Sequence, residues 1–155
     1  MKVHLECLPD ETLAMALGVS RKNIKHHAGN GRVCAELEKL EGKIGLIDEE
    51  PGKPQANHRF LKELVFVEEK YGIRKFEDTK RNHKVIMVCP EFEGWIVEVA
   101  IKQKINLKKD FGLEDSARTL HGVINQRLLQ LTKLIKHLEK EQNQAILHLK
   151  NLLNS

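Results

Sequence analysis

Cysteine is scarce in this chain of 155 residues, and the three present, Cys7, Cys34 and Cys89, are widely spaced with no Cys-x-x-Cys pair. That pattern excludes a disulfide framework and a zinc site built from paired thiolates, and it fits a reducing compartment. Eight histidines do not reopen the zinc reading, because none stands in His-Glu-x-x-His spacing. No apolar run approaches the ~20 residues that span a bilayer, and the Lys2-Val3-His4 start lacks the apolar stretch of a signal peptide. The expectation is therefore a soluble, cytoplasmic protein without a membrane partner. Aromatic residues make up 5% of the chain, so the single Trp95 reads as core rather than as a base-stacking platform. Neither sign of charge dominates: 26 Lys and Arg face 22 Asp and Glu, a formal net charge of +4 that permits nucleic-acid binding without requiring it.

What is present is an alternation of short apolar runs and helical patterns. Val3-His4-Leu5 reads as a strand, followed by a helix opening at Pro9-Asp10-Glu11, carrying Leu13, Ala14 and Leu17 and ending at Gly18. Residues 23–27 read as a second strand, and Gly29-Asn30-Gly31 as a turn into a helix over 33–40 closed by Gly42. The continuous run 43–47 has the signature of a central parallel strand covered on both faces, and it delivers Asp48 into a long Pro- and Gly-containing loop. Residues 60–67 suit either helix or strand, with the preference for helix. Residues 73–76 and 84–89, around the polar Asp78-Thr79-Lys80-Arg81-Asn82, predict an antiparallel hairpin, followed by a helix over 93–101 with Trp95, Ile96 and Val99 inward and a connector over 105–113. From Ser116 a helical stripe runs from Leu120 to Leu153 with an interruption near Gln142-Asn143-Gln144, which one long helix or a helical hairpin would satisfy. The predicted class is α/β, an open, mainly parallel sheet flanked by helices, with an antiparallel hairpin and a helical C-terminal extension. The expected division is 1–113 for the α/β domain and 114–155 for the extension, whose apolar face raises dimerisation through the tail.

Chemistry is signalled by two acidic clusters, Glu6 to Asp10 and Asp48-Glu49-Glu50, each placed just after a strand. In an open α/β sheet ligands bind beyond the C-terminal strand ends, and carboxylates gathered there repel one another unless a hard cation lies between them. If the first and third strands are neighbours, one acid can move a proton while the others, Asp10 among them, hold a divalent ion. The same acids also suit helix starts and solvated loops. Arg32 and His27, around the glycine-containing turn, and Lys53, His58 and Arg59, in the loop after Asp48, are candidates for a phosphate backbone.

Glu6 within Leu5-Glu6-Cys7-Leu8-Pro9-Asp10-Glu11, and Asp48-Glu49-Glu50-Pro51-Gly52, resemble the two acidic motifs of the Toprim domain found in topoisomerases, primases and small nucleases, over about residues 1–100. Cys7 stands where that family usually has Gly, and Glu50 stands in place of its second Asp. The resemblance implies a Toprim-like sheet and a Mg2+- or Mn2+-dependent nuclease cleaving DNA or RNA. It implies Glu6 as general acid/base and Asp48 with Glu50 as ligands of the ion. The rival expectation is a non-catalytic nucleic-acid-binding or assembly module that dimerises through its helical tail.

Overall fold

Alternation along the strands decides which side chains meet which layer. The computed structural model describes residues 1–50 and 58–155. Six strands, β1 (Val3–Leu5), β2 (Ile24–His26), β3 (Ile44–Asp48), β4 (Val65–Lys70), β5 (Ile73–Asp78) and β6 (His83–Val88), form one sheet in the order β2-β1-β3-β6-β5-β4. The first four in that order are parallel, while β5 is antiparallel to β6 and β4 to β5. Every residue of β3 is buried, as its central position demands.

Val3, Leu5, Ile44, Leu46, Ile86 and Val88 turn to one face and join a core with α1 (Leu8–Ala16) and α4 (Phe92–Lys102). Ile47 and Val85 turn to the other face, where Val33, Cys34 and Leu37 of α2 (Asn30–Leu37) and Phe60 of the short α3 (Arg59–Lys62) cover them. Gly45 permits the close approach of α2, since a Cβ there would sit 2.8 Å from Leu37 Cδ1. The architecture is thus the α/β class expected, with helices on both faces of a mostly parallel sheet.

Three details differ from expectation. Residues 60–67 are not one helix: α3 stops at Lys62 and β4 begins at Val65, so the hairpin becomes three antiparallel strands. Val65-Phe66-Val67 is β-branched and aromatic, and those side chains favour a strand even at an exposed edge, where Phe66 packs edge-on against Phe76. Helix α2 starts and ends three residues earlier than predicted, because Asn30 and Gly31 enter its first turn. The segment 105–113, predicted as a connector, contains a π-helical turn, Leu107–Phe111.

The tail is three helices, α5 (Ala117–Val123), α6 (Leu128–Lys140) and α7 (Gln144–Asn154). Gln142, in the left-handed conformation with φ 60°, turns the chain between α6 and α7. The apolar stripe does not face solvent. Leu131, Leu134, Ile135, Leu138, Ile146 and Leu149 are buried in the same core as Leu13, Leu17 and Ile96, and α6 lies along α1. The reason given for dimerisation, an uncovered tail face, is met instead by the chain's own α1 and sheet. Among the described residues, no helix is long and apolar enough to cross a membrane.

Candidate metal centre

Because β1 and β3 are parallel neighbours, Glu6 and Asp48 leave the sheet side by side at its C-terminal edge. Glu6, Asp48 and Glu50 each place a carboxylate oxygen so that all three lie within 4.8 Å of one another. Oxygens on opposite sides of one cation are about 4.2 Å apart for Mg2+ and about 4.8 Å for Ca2+. Glu6 also groups with Cys7 and Asp10, where α1 begins with Cys7 as its cap and Pro9 in the first turn. Glu50 is held with φ 44°, a left-handed conformation costing a non-glycine residue about 1 kcal/mol. Backbone amides fix this exit: Glu49 donates to the Val88 carbonyl and Glu50 to that of Pro90, both at 2.9 Å.

Asp48 is 7% exposed and Asp10 1%, and Asp48 Oδ1 and Asp10 Oδ2 have no hydrogen-bond partner. Burial first, and then the mutual repulsion of Asp10, Glu6 and Glu93, hold Asp48 far above the ordinary carboxylate range. Asp10 is pushed up by its own burial and by Glu6, Glu93 and Glu50, against the Cys7 thiol, which stabilises its anion. Glu6 is raised by burial and by Glu50, while the Asn30 backbone amide pulls it down. Buried carboxylates in this arrangement are costly as anions, and a divalent ion offsets the cost. The all-oxygen donors suit a hard cation, so these carboxylates can hold a metal ion. The Cys7 thiol is driven strongly upward by burial and by Asp10, which removes it as a nucleophile at neutral pH.

The acids line a cleft of about 380 Å³, with Glu6, Asp48 and Glu50 on the strand side and Glu91, Glu93 and His121 brought by α4 and α5. Glu91 caps α4 by accepting from the Gly94 amide at 3.1 Å. Glu93 sits in the first turn of α4, 6% exposed, with its Oε1 3.1 Å from His121 Nδ1.

Asn30, read from sequence only as part of a turn, proves to be a positioning residue. Its side-chain amide donates to the Asp48 carbonyl at 3.0 Å, and its backbone amide serves Glu6. Gly29 before it has φ 104°, open to glycine alone, and a Cβ there would lie 3.8 Å from Glu6 Oε2.

The candidate phosphate-binding residues are spread over the molecule. Arg32 is exposed in the first turn of α2, beside Asn30 and hence on the acidic edge. His27 is engaged elsewhere, its Nε2 2.8 Å from His4 Nδ1 and the two rings stacked. His58 and Arg59 do not stand beside the acids. His58 caps α3 by accepting from the Phe60 amide and faces Glu38 just past the end of α2, while Arg59 pairs with Glu63. Helix α2 runs against the strands, so its end lies at the opposite edge of the sheet, about 13 Å from the acids along β3. Closeness to Asp48 in the sequence therefore does not bring His58 and Arg59 to the acids in the fold. Lys53 lies outside the described residues. Trp95 is core, its ring nitrogen donating to the Tyr71 carbonyl at 2.8 Å.

No protein-family model matches the chain, and neither a curated protein nor a solved structure matches it.

Proposed function

We propose that this protein is a divalent-cation-dependent phosphodiesterase acting on nucleic acid, a nuclease of the Toprim type with Mg2+ or Mn2+ as its ion. The observation that carries the reading is Asp48: a buried carboxylate with an unpartnered oxygen, grouped with Glu6 and Glu50 at the ligand-binding edge of a parallel sheet. Asp48 and Glu50 would hold the ion, with Asp10 as a further candidate ligand. Bound there, the ion would stabilise negative charge developing on a phosphoryl group. Without such a charge, five carboxylates lining the cleft repel any phosphate, so acid clustering and anionic substrate are reconciled only by a cation.

Glu6 takes the proton from the attacking water. Burial and the neighbouring Glu50 raise its affinity for protons, which strengthens it as a base. Arg32, exposed on the same edge, receives the neighbouring backbone phosphate. With five acids drawn into the cleft, the rest of a chain whose net charge is +4 carries a larger basic excess, which favours a polyanion.

The test is cleavage of single- and double-stranded DNA and RNA in millimolar Mg2+ or Mn2+ by the wild type, Glu6→Gln and Asp48→Asn. Ion-dependent cleavage lost in both variants is the expected result. Ion-independent cleavage, or cleavage retained in Asp48→Asn, refutes it.

A further inference from the structure

We propose that His121 is the general acid of this site, protonating the leaving oxygen of the phosphodiester, an inference that rests on the phosphodiesterase reading above. Among the described residues lining the cleft, His121 is the one basic side chain, facing Glu6, Asp48, Glu50, Glu91 and Glu93. It comes from the C-terminal helices, 28 residues from its partner Glu93. The tail therefore contributes chemistry as well as packing.

Three features fit a proton donor. The 3.1 Å approach of Nδ1 to Glu93 Oε1 fixes the ring and reserves Nδ1, leaving Nε2 as the nitrogen available to a substrate on a side chain that is 78% exposed. His121 lies in the last turn of α5, and the packing of α5 on α4 places it on the wall of the cleft beside Glu93. Its neighbours Leu120 and Ile124 are 1% and 2% exposed, so the helix that presents the ring is anchored in the core. Competing donors are engaged: the Cys7 thiol serves Asp10, and the carboxylates of Glu6, Asp48 and Glu50 are the base and the ion's ligands.

The step balances without any co-reactant but water. The water oxygen forms a new bond to phosphorus as Glu6 takes its proton. The bond from phosphorus to the leaving oxygen breaks, its electron pair stays on that oxygen, and His121 Nε2 supplies the proton that makes it an alcohol. Glu6 ends protonated and His121 neutral, and exchange with solvent restores both. Loss of such an acid is felt in proportion to how poor the leaving group is.

The experiment compares wild type, His121→Gln and Glu93→Gln in Mn2+ on two phosphodiesters: an oligonucleotide, whose leaving alkoxide needs a proton, and bis(4-nitrophenyl) phosphate, whose nitrophenolate does not. For His121→Gln the expected outcome is a kcat on the oligonucleotide lower by roughly 10²- to 10⁴-fold, with aryl-ester turnover within ~3-fold of wild type. Stabilisation by Mn2+ should be unchanged. Glu93→Gln, which keeps an acceptor for Nδ1 but removes its charge, should give a smaller fall confined to the same substrate. Equal loss on both substrates, or loss on neither, overturns the role of His121 while leaving the phosphodiesterase reading intact. If the wild type hydrolyses neither ester, that reading falls and the general acid with it.

Discussion

The side-chain amide of Asn30 donates to the main-chain oxygen of Asp48 at 3.0 Å, fastening the first turn of α2 to the last residue of β3. Because the backbone amide of the same residue serves Glu6, one asparagine braces both walls of the acidic group. Replacing it by alanine leaves a buried carbonyl unpaired, a loss of about 1–3 kcal/mol. We expect Asn30→Ala to melt roughly 2–10 °C lower and to require more Mn2+ for half-maximal stabilisation. Calorimetry with and without ion measures both, and an unchanged ion requirement contradicts the bracing role.

The raised proton affinities of Asp48, Asp10 and Glu6 make the ion-free protein sensitive to alkali. Each holds its proton more tightly folded than unfolded, so the stability it contributes is complete below the unfolded carboxylate value of ~4 and is lost as pH rises through the folded value. The melting temperature without ion should fall between pH 5 and pH 8. Asp48→Asn should flatten that slope and melt higher at pH 8 by about 4 °C or more, equivalent to roughly 1–2 kcal/mol. A steeper fall in the variant would contradict the sign.

Adding a divalent ion should reverse the order. At 100 times its dissociation constant an ion contributes about 2.7 kcal/mol of stability, so wild type in saturating Mn2+ at pH 8 should overtake Asp48→Asn. Chelation with EDTA should return it to the lower value. No response to Mn2+ in scanning fluorimetry would remove the metal site.

Arg32 and Arg59, each a phosphate candidate on sequence grounds, stand at opposite edges of the sheet. Arg32→Ala should weaken nucleic-acid binding and reduce the dependence of log K on log salt by about one ion's worth. Arg59→Ala should change neither. A fluorescence-anisotropy salt series distinguishes them, and equal effects would mean that the nucleic acid contacts more than the acidic edge.

Leu134 of α6 is fully buried in the core that also holds Leu13 and Ile96. Leu134→Ala should cost about 2–5 kcal/mol, with Trp95 fluorescence and far-ultraviolet dichroism shifting together in one transition. Separate transitions would instead show residues 114–155 unfolding as a unit of their own.

Patterns confined to a few neighbouring residues were the legible ones. The uninterrupted apolar run ending in Asp48 fixed a central strand, and acids directly after two parallel strands marked the ligand edge. The ambiguous stretch was resolved by Val65-Phe66-Val67, whose strand preference outweighs the helical spacing of Leu61 and Leu64. What no local pattern carries is long-range partnership. Sequence proximity points His58 to the acids, yet it stands beside Glu38. His121 lies beside the apolar stripe with no motif around it, and only the packing of α5 on α4 brings it to Glu93. Asn30 carries only the signal of a turn, since an asparagine after a glycine marks one whatever else it binds.

The pairing of β1 with β3 has a consequence for how the protein comes into being. Glu6 and Asp48 are separated by two helices and a strand in the chain, and they become neighbours only when those two strands zip together. Convergence of these acids therefore requires a completed sheet: a nascent or misassembled chain owns the same acids but presents them one at a time.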